Sequence, residues 1–317
     1  MSGPNGEIPV KLPLVYYFGG SDPGDKGGTM YKSQIARLAL AVQGRMKQPG
    51  QEEVERSGIV VDTPGSLLSA KQASNGYELI SYIATEFSVN AIICVGSERV
   101  YSDMVRKFDK QPISGSGRVS DPNSNQQISV IKLAKSGGVV DRDAIYMRAI
   151  AEAQIRTYFY GNPRVGANIP LQPRQQQVDF DALPTVWRRI SANSQSYASS
   201  GAAYDEDSFL PGGADDAEYV PPQHTTTLVP LPENQLFEKL TAPVMAMRNC
   251  VLAVVNCVPD PDEQDVLRDS SCMGFLYVTD IDQDKGKISL LSPVAGRVPN
   301  RALVWGEAIE GIMGIIG

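Results

Sequence analysis

The sequence holds four cysteines, one histidine, no run of eighteen apolar residues and no Gly-x-x-x-x-Gly-Lys-Ser/Thr. Cys94, Cys250, Cys257 and Cys272 lie in or beside apolar runs without Cys-x-x-Cys spacing, which argues against a zinc cluster or a disulfide framework and suits a reducing compartment. His224, in a proline-flanked segment, has no serine or cysteine placed near it in sequence for a nucleophilic triad. The missing apolar run argues against a membrane helix, and the N-terminal Met-Ser-Gly-Pro-Asn-Gly-Glu lacks the basic and apolar parts of a secretory signal, so a soluble intracellular protein is expected. Positive charge is in deficit: 29 Lys and Arg against 36 Asp and Glu leave a net charge of -7. A broad positive field for nonspecific nucleic-acid coating is therefore excluded, although a local basic groove is compatible with that balance.

At 317 residues the chain is long enough for two domains. An apolar and aromatic run from Leu12 to Phe18 reads as a strand ending in the turn Gly19-Gly20-Ser21-Asp22-Pro23-Gly24. A helix follows, capped by Thr29, with Ile35, Leu38, Ala39, Val42 and Met46 on one face. Gly58–Val61 reads as a second strand, and Tyr77, Ile80, Ile83, Ala84 and Phe87 as a second helical stripe. Strand Val89–Val95, helix Glu98–Phe108 and strand Ile128–Ala134 continue the alternation. Repeated strand–helix units predict a parallel sheet with helices on both faces, and the loops around Gly19, Asp62, Gly96 and Lys135 should gather at its ligand edge.

Beyond Gly161 prolines break the pattern, and residues 191–222 read as a Ser/Gly/Ala/Asp-rich mobile loop. Strand-like runs follow at Thr225–Leu231, Cys250–Val258, Met273–Ile281, Lys287–Leu291 and Arg301–Trp305, with Asp282–Gly286 as a hairpin turn. The expected organisation is a polar segment at 1–11, an α/β domain at 12–161, a connector at 162–222 and a smaller, mainly antiparallel α+β domain at 223–317.

Several residues carry candidate chemistry. Gly19–Lys26 has glycines and a lysine between strand and helix, but its spacing fails and Asp22 and Asp25 would repel phosphate. Asp62 and Thr63 at a strand end suit either a magnesium water shell or a strand-terminating turn. Lys135, Ser136, Gly137 and Gly138 offer a cation, a hydroxyl and flexible amides, which suits an anion or a bare tight turn equally. Arg156 reads as a lid arginine over a transferred phosphoryl group or as a solvated helix residue. Tyr158, Phe159 and Tyr160 read as packing aromatics, with base stacking as the lesser alternative. The acidic Pro259–Asp269 run lacks calcium-loop alternation and reads as a solvated loop.

Pro13-Leu14-Val15-Tyr16-Tyr17-Phe18-Gly19, Lys135-Ser136-Gly137-Gly138-Val139-Val140 and Arg156 with Tyr158-Phe159-Tyr160-Gly161 together resemble the Clp family of polyribonucleotide 5'-hydroxyl kinases, fungal members best. The similarity extends through Met273–Thr279 and Leu290–Pro293. The resemblance implies a partial P-loop-NTPase-like fold and a nuclear subunit of the pre-mRNA cleavage and polyadenylation machinery. It implies ATP and Mg2+ in the complete family protein, a scaffold subunit that contacts the RNA polymerase II tail as partner, other cleavage and polyadenylation factors beside it, and RNA contact that is indirect or weak. The chain departs from active relatives in three respects. The family's phosphate loop and metal-binding strand should precede position 12. Ser66 stands where active relatives clasp the RNA base with tryptophan, and Ala151 and Gln154 stand where they carry lid arginines. These departures favour a noncatalytic scaffold that does not bind ATP and Mg2+ by itself, and the polar Met1–Val10 suggests a C-terminal portion of a longer product. The alternative is an RNA 5'-hydroxyl kinase whose phosphate loop a longer natural product supplies.

Overall fold

A computed structural model describes residues 13–20, 22–48, 50, 52–68, 73–113, 127–140, 142–161, 173–191 and 235–306. Along the chain the elements are α1 (Thr29–Met46), α2 (Glu52–Ser57), α3 (Ala73–Glu86), β1 (Ala91–Val95), α4 (Glu98–Phe108), β2 (Ser129–Leu133), α5 (Ala144–Tyr160), β3 (Arg174–Asp179), β4 (Val186–Arg189), β5 (Phe237–Leu240), β6 (Val251–Val255), α6 (Gln264–Asp269), β7 (Cys272–Asp282), β8 (Lys287–Ser292) and β9 (Leu303–Trp305). Two sheets result. β1 and β2 pair in parallel, and a seven-stranded sheet runs in the order β3-β8-β7-β6-β9-β4-β5, antiparallel except where β4 meets β9.

The larger sheet sets the architecture. Its central strands are apolar on both faces, so successive residues enter different cores. Leu252, Val254, Leu303 and Trp305 pack on one side with Leu276, Val278, Ile288 and Leu290. Ala253, Val255 and Val304 pack on the other with Met30 of α1 and Leu267 of α6. The expected second domain, 223–317, carries five of the nine described strands, β5 to β9. The expected connector contributes β3 and β4 to it, residues whose polar sequences, Arg-Gln-Gln-Gln-Val-Asp and Val-Trp-Arg-Arg, hide their strand character. The strand expected at Thr225–Leu231 and, apart from Ser191, the loop expected at 191–222 lie outside the described residues.

The run expected to open the parallel sheet does something else. Residues 13–19 form no strand; they are an extended strap across the larger sheet. The Val15 carbonyl accepts from the Cys272 amide at 2.7 Å, and the Tyr17 ring meets Phe275 edge-on at 6.0 Å. Burial pushes the Tyr17 phenol up to about 12, against the opposing pull of its hydrogen bond with the Gly306 backbone. Gln34 of α1 donates to the Tyr17 carbonyl at 2.9 Å. Farther on, Asp25 and Arg189 of β4 form a buried ion pair at 3.0 Å, the guanidinium lying 4.5 Å from the Phe18 ring centroid. Lys26 Nζ donates to the Gln235 carbonyl at 2.5 Å. The strap joins this sheet because Tyr17 and Phe18 find a deeper apolar surface there than on a two-stranded sheet.

Gly28, not Thr29, occupies the N-cap of α1, and the Thr29 hydroxyl donates back to the Lys26 carbonyl at 3.0 Å. The predicted α1 stripe packs through Ile35, Leu38, Ala39 and Val42, with Ala39 buried in one cluster with Leu67 and with Leu79 and Ile83 of α3, while Met46 stays outside that cluster. Residues 58–61 form no strand, so the fourfold alternation reduces to two parallel strands among the described residues. Helix α4 covers one face of that pair through Met104 and Phe108, packed with Cys94 and Ile128.

Candidate functional site

Parallel pairing brings the C-terminal ends of β1 and β2 to one edge, with Val95 opposite Leu133. The Gly96 amide donates to the Leu133 carbonyl at 3.0 Å, with Gly96 at φ +76°, and a Cβ at that position would lie 3.2 Å from the Lys135 Cβ. Left-handed backbone and close approach both explain the glycine. Ser97 then caps α4, its hydroxyl accepting from the Val100 amide at 3.3 Å. The first turn of α4 therefore stands beside Lys135.

After β2, Ser136 closes a turn. Its carbonyl accepts from the Val139 amide at 3.1 Å and its hydroxyl from the Gly138 amide at 3.4 Å. Gly137 and Gly138 avoid the left-handed region. A Cβ at Gly137 would meet nothing within 4 Å, and one at Gly138 only the Ser136 hydroxyl at 3.9 Å. Neither strain nor crowding requires these glycines. What they leave is bare, exposed backbone beside a lysine, a surface that an anion can approach closely.

Asp62 and Thr63 do not share this arrangement in the way expected. They are exposed on the irregular segment leading into the 3-10 turn Gly65–Leu68, which packs on α3. Without a strand at 58–61, the strand-end position that suggested a metal carboxylate is lost. Among the described residues no group of three His, Cys, Asp or Glu side chains is placed to hold a metal. The loop at Gly19 also leaves the expected edge: a Cβ on Gly306 would fall 2.5 Å from the Gly19 carbonyl oxygen, so the two glycines bring the strap against the end of β9.

Arg156 is exposed in the last turns of α5. The neighbouring aromatics pack. Phe159 is buried against Tyr277 and Leu291, and the Tyr158 hydroxyl accepts from the Phe275 amide at 3.0 Å. A side chain on Gly274 would meet that hydroxyl at 2.9 Å, so glycine in β7 makes room for Tyr158. The aromatic triplet thus docks α5 on the larger sheet. Sequence reasoning missed Arg189 and its partner Asp25, because the pairing joins residues 164 positions apart and leaves no local signal.

The family described as "mRNA cleavage and polyadenylation factor CLP1 P-loop" matches residues 3–161, and "Pre-mRNA cleavage complex II protein Clp1" matches residues 171–309. The mRNA cleavage and polyadenylation factor clp1 of Aspergillus terreus is 42% identical over 353 aligned positions, and that of Aspergillus clavatus 40% over 354. Each alignment covers 100% of this chain and 61% of the relative. The chain therefore spans about three fifths of the length of the curated relatives it matches. A solved structure describing the extended interface between Pcf11p and Clp1p superposes with a TM-score of 0.64 at 21% identity, over 96% of this chain and 58% of that one. A second, the wild-type Clp1p–Pcf11p complex, gives 0.62 over 92% and 54%. These structures share the fold: a parallel sheet with helices beside a mainly antiparallel sheet. With family matches running through both sheets, the chain belongs to the Clp1 family of mRNA cleavage and polyadenylation factors.

Proposed function

We propose that the chain is a noncatalytic, nucleotide-associated scaffold of a nuclear pre-mRNA cleavage factor complex, required for cleavage in polyadenylation-dependent 3'-end formation. The observation that carries this reading is the contrast between its two parts. The seven-stranded sheet is packed on both faces and bound by the strap, giving a rigid platform for protein contacts. The phosphate edge supplies Lys135, Ser136 and open glycine backbone, but no phosphate-loop motif accompanies it anywhere in the sequence.

On this reading the edge residues would hold a phosphate. Lys135 would face its charge and the Gly137–Gly138 backbone would allow close approach. ATP and Mg2+ are assigned to the longer family protein, with Arg156 as the candidate lid arginine. The partner on this reading is a scaffold subunit of the Pcf11 type, alongside other cleavage and polyadenylation factors, with RNA contacted weakly or through them.

Affinity purification of the tagged protein from nuclear extract is expected to recover cleavage-factor subunits; their absence overturns the scaffold reading. Incubation with radiolabelled ATP, Mg2+ and 5'-hydroxyl RNA is expected to leave the RNA unlabelled. Labelling that Arg156→Ala abolishes would replace the noncatalytic reading with kinase activity.

A further inference from the structure

Met104 and Phe108 bury one stripe of α4 against Cys94 and Ile128. The opposite stripe carries Arg99 and Arg106, two turns and so about 10 Å apart on one face. Lys107 flanks them on the α3 side, its ammonium 4.2 Å from the Tyr77 ring centroid, and Lys132 of β2 flanks them on the other, 5.8 Å from the Tyr101 ring centroid. Lys110 extends the row just past the helix. Its φ is +62°, a conformation that glycine or asparagine adopts more readily, and its amide is fixed there by donating to the Ile128 carbonyl at 3.0 Å. A lysine thus stands where the backbone does not favour one. All five cations are exposed. The carboxylates between them are engaged: Glu98 pairs with Lys132, Asp103 holds Arg106 at 2.7 Å and accepts from the Tyr77 hydroxyl at 2.5 Å, and Asp109 accepts from the Val130 amide at 3.4 Å. These five cations meet three carboxylates, whereas the rest of the chain sets 24 Lys and Arg against 33 Asp and Glu. The positive excess is local, on an otherwise acidic protein.

We propose that the outer face of α4 is a docking surface for a short acidic segment of a partner protein. Charge complementarity selects an anion, and three observations select a peptide over a nucleic acid. Tyr77 and Tyr101 are packed into the cluster beneath α4 and hold lysine ammonium groups, so they offer no open platform on which bases could stack. A nucleic-acid strand carries a charge on every residue and would run off the patch onto a surface of net negative charge, whereas a short acidic segment ends with it. From Arg99 to Lys110 the row covers about 16 Å, the reach of about five extended residues. The ion pairs with Glu98 and Asp103 hold Lys132 and Arg106 in a set pattern, and a fixed pattern of charge gives a partner its register. The surface is separate from the Lys135 turn and does not depend on the scaffold reading.

The test titrates the purified chain with fluorescein-labelled decaglutamate and, separately, with labelled decauridylate RNA of nearly equal charge. The peptide is expected to bind in low salt and to weaken about tenfold as salt rises from about 50 to 200 mM. The double variant Arg99→Gln, Arg106→Gln is expected to weaken it about tenfold while the far-ultraviolet spectrum stays unchanged. Arg174→Gln with Lys285→Gln removes the same charge from the larger sheet and is expected to leave binding as it was. Acetylation of the unaltered chain, read by mass spectrometry, gives a readout independent of variant folding: labelling of Lys107, Lys110 and Lys132 is expected to fall severalfold on adding the peptide. No binding in low salt, equal weakening by the two double variants, or undiminished acetylation overturns the proposal. So does tighter binding of the RNA through Arg99 and Arg106, which would assign the face to nucleic acid, or self-association that the Arg99, Arg106 variant abolishes, which would assign it to a second copy.

Discussion

Replacing Asp25 with Asn should release the strap from the larger sheet. Asp25 and Arg189 lie 3.0 Å apart with side chains 9% and 3% exposed, so the discount for surface ion pairs does not apply. Removing one member of a buried pair costs about 3–5 kcal/mol, because the remaining charge keeps its desolvation penalty. At the lower end, and at a few degrees per kcal/mol for a body of this size, Tm should fall by roughly 6–12 °C. Trp187 and Trp305 are the chain's only tryptophans and sit in β4 and β9, so their fluorescence follows the larger sheet specifically. Arg189→Met alone should be comparably destabilising. The double variant should recover much of the loss, since neither charge then remains buried, and the aliphatic stem keeps its place against Phe18. Two single variants that each cost less than about 1 kcal/mol, or a double variant as unstable as their sum, would refute the reasoning.

Gly306→Ala should cost about 1–3 kcal/mol by the same fluorescence assay, since its Cβ would lie 2.5 Å from the Gly19 carbonyl oxygen and 2.6 Å from the Gly19 Cα. Gly137→Ala should leave stability unchanged or raise it by up to about 1 kcal/mol, because its backbone is not left-handed and its surroundings are open; a loss would show that the turn itself demands glycine. Burial alone would raise the Asp269 carboxyl, but hydrogen bonds from Arg268, Ser33 and Arg37 hold it well below the usual carboxylate range. Its stabilising contribution is therefore complete above pH about 4 and is lost as pH falls further, so Asp269→Asn should flatten the acid limb of a stability profile below that pH.

Local signals were legible where the responsible residues are neighbours in sequence. Helix α4 runs from Glu98 to Phe108 as its spacing indicates, because Ser97 caps it and Met104 and Phe108 form its buried stripe. The hairpin at Asp282–Gly286 was equally readable: the Lys285 amide donates to the Asp282 carboxylate and Gly286 sits at φ +61°. The strap was not, because the apolar run Val15–Phe18 suits a buried strand and a surface strap alike, and only the distant Cys272 and Arg189 decide between them. Strand β4 was hidden by its two arginines, which are strand residues only because Glu238 and Asp25 arrive from elsewhere to pair them. At the candidate site, the meeting of Gly96 and Lys135 followed from the strand–helix alternation. The displacement of Asp62 did not, since the strand meant to position it never forms.

The candidate edge stands on the less supported part of the molecule. Strands β6 and β9 are covered on two faces, whereas among the described residues β1 and β2 have helices against one face, one neighbouring strand each and an apolar face in solvent. Local opening free energy follows such burial, so native-state hydrogen exchange should proceed faster through Ala91–Val95 and Ser129–Leu133 than through Leu252–Val255. Equal exchange rates in both sheets would instead mean that the two unfold as one unit. The bare face would then be a tolerated exposure, and the order of the Lys135 turn would be set by the larger sheet through α5 and the strap.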